Sequence, residues 1–217
     1  MHGSHWIADT NENLKVDKDM IVSIPARGLN ISWGNDCRFW KFVDAPKDGS
    51  SGSMLRVWEK VGSFRSINLQ FWKRLFSRLK PVTSSLNIPD GDAAELVQVN
   101  DLEVKGRIDL EHKERFFSPE KTYEIFYIIK FKSDAFGWDA CPISLELTAP
   151  NGQKIKRSEH FERYTKKSSE DWHHVSGGEF NIRSELKGRV EFGMYEIQTS
   201  YWKGGMILYG VQIKPKN

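Results

Sequence analysis

Two indoles flank a short polar loop in Leu29 to Val43, LNISWGNDCRFWKFV. Trp33 precedes Gly34-Asn35-Asp36, and Trp40 follows Arg38. A flat aromatic ring can cover the apolar face of a pyranose, and a carboxylate can accept hydrogen bonds from sugar hydroxyls or an N-acetyl amide. Trp33, Trp40 and, far downstream, Glu196 are the right kinds of side chain for that work. Tryptophan is also highly buried on average, so packing inside a core is the competing reading of both indoles.

Other chemistry finds less footing. His173 and His174 are adjacent, so on a strand they point to opposite faces and cannot easily share a metal. His2, His5, His112 and His160 fall in arm or loop-like sequence. No Cys/His cluster, GxSxG, Walker loop or GxGxxG occurs. Two acids in apolar surroundings, as a glycosidase needs, do not stand out. Binding is thus favoured over catalysis, and no cofactor or metal is expected. Cys37 and Cys141 are the two cysteines. Their scarcity points to a reducing compartment, and Cys37 is either an inert packed thiol or an exposed one able to pair between chains. The first residues lack a cationic and then apolar leader, and no apolar run approaches a membrane span. The expected location is cytoplasmic or nucleocytoplasmic.

The 217 residues carry a net charge of only +3, unevenly spread. Between Arg56 and Lys80 seven basic residues stand against one acid, Glu59. Within it, Leu69, Trp72, Phe76 and Leu79 recur at helical spacing, which predicts a basic amphipathic helix ended near Lys80-Pro81. Such a helix could bind RNA, an anionic membrane or an acidic partner, or simply dock by its apolar stripe with its charges solvated.

These residues need elements to position them. Residues 1–19 read as an arm that docks at one or two apolar points. Residues 20–217 read as one domain interrupted by an insert at about 47–92. Leu29, Ile31 and Trp33 alternate as on a strand, and Gly34-Asn35-Asp36 reads as a turn. Leu102, Val104 and Ile108 alternate, with Gly106 suggesting a bulge. Residues 123–132, YEIFYIIKFK, are apolar on both faces, which predicts a central strand. Further alternating runs at 143–148, 190–194 and 207–213 complete the pattern of an antiparallel sandwich or barrel.

Four stretches then carry a resemblance. Gly188 to Lys216, GRVEFGMYEIQTSYWKGGMILYGVQIKPK, looks like the closing motif of the plant phloem lectins, the Nictaba-like family. ARGLNISWGNDCRFWKF (26–42), AELVQVNDLEVKGRI (94–108) and DWHHVSGGEF (171–180) resemble that family's earlier segments in the same order, and HWIADT resembles the arm of its cucurbit members. The resemblance implies a jelly-roll β-sandwich, here with the basic helical segment inserted. It implies binding of N-acetylglucosamine oligomers (chitooligosaccharides and the core of N-glycans on glycoproteins), without catalysis, in the phloem. It implies sugar contacts at Trp33, Trp40 and Glu196. The family's second glutamate falls on Arg189, a charge reversal, with Glu191 two residues away on the same face. Trp202, in YWKGG, is expected to be structural. Phloem lectins are also credited with RNA binding, for which the basic insert is the candidate segment. Oligomeric state is left open, a homodimer included.

Overall fold

In the computed structural model, residues 4–44, 92–166 and 171–216 are described. The expected insert at 47–92 and its basic helix fall outside them, apart from the strand that begins at Asp92.

Among the described residues twelve strands form two sheets. One holds β1 (Lys15–Val16), β2 (Val22–Pro25), β4 (Trp40–Asp44), β5 (Asp92–Leu96), β7 (Lys121–Phe136), β10 (His173–Ile182) and β12 (Gly204–Pro215). The other runs in the order β3 (Asn30–Ile31), β6 (Leu102–Asp109), β11 (Arg189–Glu196), β8 (Ile143–Thr148), β9 (Lys154–Glu159). Every pairing is antiparallel. The architecture is an antiparallel β-sandwich of jelly-roll type, as expected.

Period-two alternation builds the core. In β11, Val190, Phe192 and Met194 are buried while Arg189 and Glu191 face solvent. In β6, Leu102, Val104 and Ile108 are buried, with Lys105 and Arg107 outside. These side chains meet those of the other sheet across the sandwich, as where Phe192 meets Tyr127 edge-on at 6.4 Å. The strand apolar on both faces, β7, is central: β10 lies on one side and β12 on the other.

Three local expectations change. The strand around Leu29 is shorter than its alternation suggests, and Trp33 leaves it in a left-handed turn with φ 64°. Gly106 makes no bulge. The β6–β11 register is unbroken there, and glycine is needed because a Cβ would run into the Phe192 ring. Register shifts lie instead at Ser176/Gly178, where Gly178 takes φ +121°, and at Gly204/Met206 and Leu208/Gly210 in the β7–β12 pairing.

The arm is a working part of the domain. Trp6 and Ile31 exchange backbone hydrogen bonds of 2.9 Å, and the Trp6 indole donates to the Arg27 carbonyl at 2.9 Å. The Arg27 guanidinium lies 4.1 Å over the Phe42 ring. β1 extends the larger sheet by pairing with β2.

Candidate functional site

The arm and the Ile31–Phe39 loop fix each other. The Trp33 amide donates to His5 Nδ1 at 3.0 Å, and the Asn35 side-chain amide donates to the His5 carbonyl at 2.8 Å. Gly34 leaves room for the Trp6 side chain, since a Cβ there would stand 2.5 Å from Trp6 Cβ. These contacts hold the left-handed turn that carries the Trp33 indole, half-buried against the core and in contact with two other rings. His5 lies 5.2 Å away on one side, and Phe39 lies 5.4 Å away on the other. Phe39 in turn stacks on Trp202 at 6.5 Å and an interplanar angle of 20°. Four rings thus run in file across one end of the sandwich.

The outer end of that file is open. Trp202 is 49% exposed and its neighbour Tyr201 is 61% exposed. Polar groups border it. Arg38 grips Asp36 with contacts down to 2.7 Å and lies 5.4 Å over the Phe39 ring. The hydrogen bond from the Arg38 side chain holds the Asp36 carboxyl below its ordinary pKa. Cys37, in the same loop, is exposed.

Glu196 and Lys203 support the Trp202 end from beneath. Lys203 is fully buried, and its Nζ lies 2.6 Å from Glu196 Oε2. It also donates to the carbonyls of Asn100 and Tyr201 at 2.7 and 2.8 Å. Glu196 Oε1 accepts from the amide and hydroxyl of Thr199 at 3.1 and 3.0 Å. Burial alone would raise the Glu196 pKa. The Lys203 ammonium and the Thr199 donors outweigh it and hold the carboxyl below its ordinary value. The ion pair ties together both ends of the 196–203 loop that carries Trp202.

This arrangement corrects the expected site. Trp40 cannot stack on a sugar as placed, because it is 2% exposed within the core. It opens β4 opposite Leu96, so its side chain faces into the sandwich. Glu196 is 5% exposed with both oxygens engaged, so it braces the loop and does not face a ligand. Trp33 remains at the surface, and the described contacts connect it to Glu196 through Phe39, Trp202 and Lys203. Arg189 is not brought to this group. It starts the strand that Glu196 ends, seven residues and roughly 23 Å away at about 3.3 Å per residue, and it points outward to Asp109 at 2.9 Å. Trp202 reverses expectation. Its neighbour Lys203 is the structural residue, and the indole is exposed. Alternation could not have signalled this, because Tyr201 and Trp202 precede β12 and are both exposed, while burial runs unbroken from Lys203. Among the described residues no group of three or more His, Cys, Asp or Glu side chains could hold a metal ion.

Residues 80–215 match the sequence model of the phloem protein 2 family. Phloem protein 2-like A2 of Arabidopsis thaliana is 33% identical over 58% of this chain and 61% of its own length. Phloem protein 2-like A1 of the same plant is 34% identical over 98% of this chain and 65% of its own. The chain therefore spans less than two thirds of either relative. A solved structure of TmCBM61 in complex with beta-1,4-galactotriose covers 59% of this chain and 73% of its own, at 12% identity and a TM-score of 0.33. The match to the family's sequence model takes in well over half of the residues, and the chain belongs to the phloem protein 2 family.

Proposed function

We propose that the chain is a lectin module that binds N-acetylglucosamine oligomers, as in chitin fragments or the core of N-glycans, at the ring-lined end of the sandwich. The observation that carries this is the file His5–Trp33–Phe39–Trp202, with its last indole half open to solvent. Such rings offer apolar faces to successive pyranoses, and Asp36, Arg38 and the loop backbone offer hydrogen-bonding partners beside them. Trp202 takes the stacking role, Trp33 props it through Phe39, and Glu196 acts through the loop it anchors. The phloem lectin resemblance supplies the choice of sugar. The reading is of binding without turnover, in phloem.

Titration calorimetry of the intact protein with chitotriose tests it. Trp202→Ala should weaken binding by at least tenfold with the melting temperature unchanged. Deleting residues 56–80 should leave chitotriose affinity in place, which separates this reading from one in which that basic segment carries the activity on RNA or an anionic membrane. Absence of any response from the intact protein to chitotriose or to an N-glycan array would end the proposal.

A further inference from the structure

The outer face of the five-stranded sheet carries a second feature, away from the ring-lined end. The register aligns one row of residues across all five strands: Asn30 opposite Lys105, Lys105 opposite Gly193, Gly193 opposite Glu146, and Glu146 opposite Lys156. With strands about 4.8 Å apart, the row spans on the order of 19 Å. Its middle position is a glycine, so the row has side chains at both sides and none on its floor. The result is an open trough of about 400 Å³. That lies within the range of about 300–1,000 Å³ for small-molecule sites.

An aromatic ring occupies the floor that glycine vacates. Tyr195, two residues on and on the same face, folds back so that its phenol lies over Gly193; a Cβ at 193 would collide with it. Tyr195 is half-buried and lines the trough. Burial first, and the nearby carboxylates of Glu103, Glu146 and Glu191 second, push its hydroxyl up to about 12, so it stays a neutral donor at any physiological pH. Among the described residues the hydroxyl makes no hydrogen bond.

Charge on this face is already paired, which favours a neutral ligand over an ionic one. Each carboxylate has a cation at ion-pair distance: Glu103 with Lys105 at 2.8 Å, Glu146 with Lys156 at 2.9 Å, Asp109 with Arg189 at 2.9 Å, and Glu191 with Arg189 at 3.7 Å. A phosphate or a metal ion would have to break these pairs. A neutral polyhydroxylated chain would not, since paired carboxylates and cations keep spare acceptors and donors for hydroxyls. We infer that the trough centred on Gly193 and Tyr195 is a second glycan site, in which a neutral oligosaccharide lies across the strands with one ring on the Tyr195 phenol. The inference shares with the proposed function the premise that the chain binds neutral glycans, but it uses no residue of the ring-lined end. It would make one chain divalent, so that a single molecule could join two glycan strands.

Amide and indole NMR shifts of the full chain, titrated with chitotriose and then cellotriose, test it. The Gly106 and Gly193 amides should move on a saturation curve separate from that of the Trp202 indole. Tyr195→Ala should weaken the glycine response at least tenfold and leave the Trp202 response intact, while Tyr195→Phe should keep most of it. Gly193→Ala, which presses on the phenol, should mimic Tyr195→Ala. Glycine amides that stay still while the Trp202 indole saturates would overturn the second site and leave the first standing. Glycine amides that move while the indole is silent would support the second site and sink the first. A glycine response unaltered in both Tyr195→Ala and Gly193→Ala would also overturn the inference.

Discussion

The two ends of β11 carry charge in opposite ways. At Glu196 the carboxylate turns inward and meets Lys203 with almost no exposure on either side chain. At Arg189 the guanidinium turns outward and shares Asp109 and Glu191 in solvent. Each pair has one partner on β11, with Glu196 at 2.6 Å from Lys203 and Arg189 at 2.9 Å from Asp109. A buried pair must be kept intact because each partner alone is an uncompensated charge in a poor solvent for it. An exposed pair has water and salt as alternatives, and contributes little. The indoles repeat the contrast, with Trp40 sealed in the core and Trp202 open. In this molecule the buried pair holds a loop in place, while the exposed pair and the open indole keep water as a neighbour.

The sharpest way to break that comparison is Lys203→Met. It strands the Glu196 carboxylate and releases the Asn100 and Tyr201 carbonyls, and should cost about 3–5 kcal/mol in urea unfolding at neutral pH. Replacing both partners with apolar residues of similar volume should recover most of that loss, because no charge is left unmatched. A Lys203→Met protein as stable as the wild type would mean that the pair is not the brace described. Trp40→Ala should come next, at about 3–5 kcal/mol for a large side chain removed from a packed core. Trp202→Ala should change stability by less than about 0.5 kcal/mol, as a surface substitution. If the two tryptophan variants prove equally unstable, the assignment of one to core and the other to recognition fails.

That assignment was only partly readable in the sequence. Alternation exposed the strands, and the two-faced run at 123–132 correctly marked the centre of the larger sheet. The ordered motifs led to the family. Exposure of the two early indoles was not legible, because the loop and strand around them do not decide it alone. Trp40 is buried by pairing β4 with β5, whose residues lie some fifty positions later across the insert, and no local pattern announces that partner. Trp33 is held at the surface by His5 and Asn35, a clamp between arm and loop that depends on a left-handed residue at 33, a conformation not expected of tryptophan. Glu196 was found by type and misjudged in role, since a motif reports which residue is present and not which way its strand faces it.

Acid unfolding sharpens the contrast with a smaller effect. Burial first, then Lys214 and His173, lowers the His174 pKa from 6.5 to about 4. The unfolded chain therefore takes up a proton before the folded one does, and stability should fall as pH drops from about 6.5 to about 4. Glu196 acts lower, because its folded pKa lies below the unfolded value of 4.5. Its contribution is present above 4.5 and is lost as pH falls through the folded value. His174→Gln should flatten the upper window and leave the lower one; Glu196→Gln should do the reverse. Chemical denaturation at half-unit steps of pH reads both, and a wild-type profile flat from 6.5 to 4 would contradict the burial of His174.

The smallest expected effect is also the most informative about the relatives' motif. Arg189→Glu restores the charge that the phloem lectin resemblance assigns to this position. Were Arg189 part of the sugar contact at the ring-lined end, the reversal should change chitotriose affinity there severalfold. The strand geometry argues otherwise: the guanidinium is at the far end of β11 from Glu196, on the outer face, beside Asp109 and Glu191. A glutamate there would add a third carboxylate to two others and raise their pKa values by mutual repulsion, with its consequences confined to that corner. The Trp202 indole titration should therefore be unchanged within twofold, read in a Tyr195→Ala background so that the sheet face does not contribute. A larger change would mean that glycan bound at the end reaches the length of the strand, and that the two ends of β11 serve one ligand.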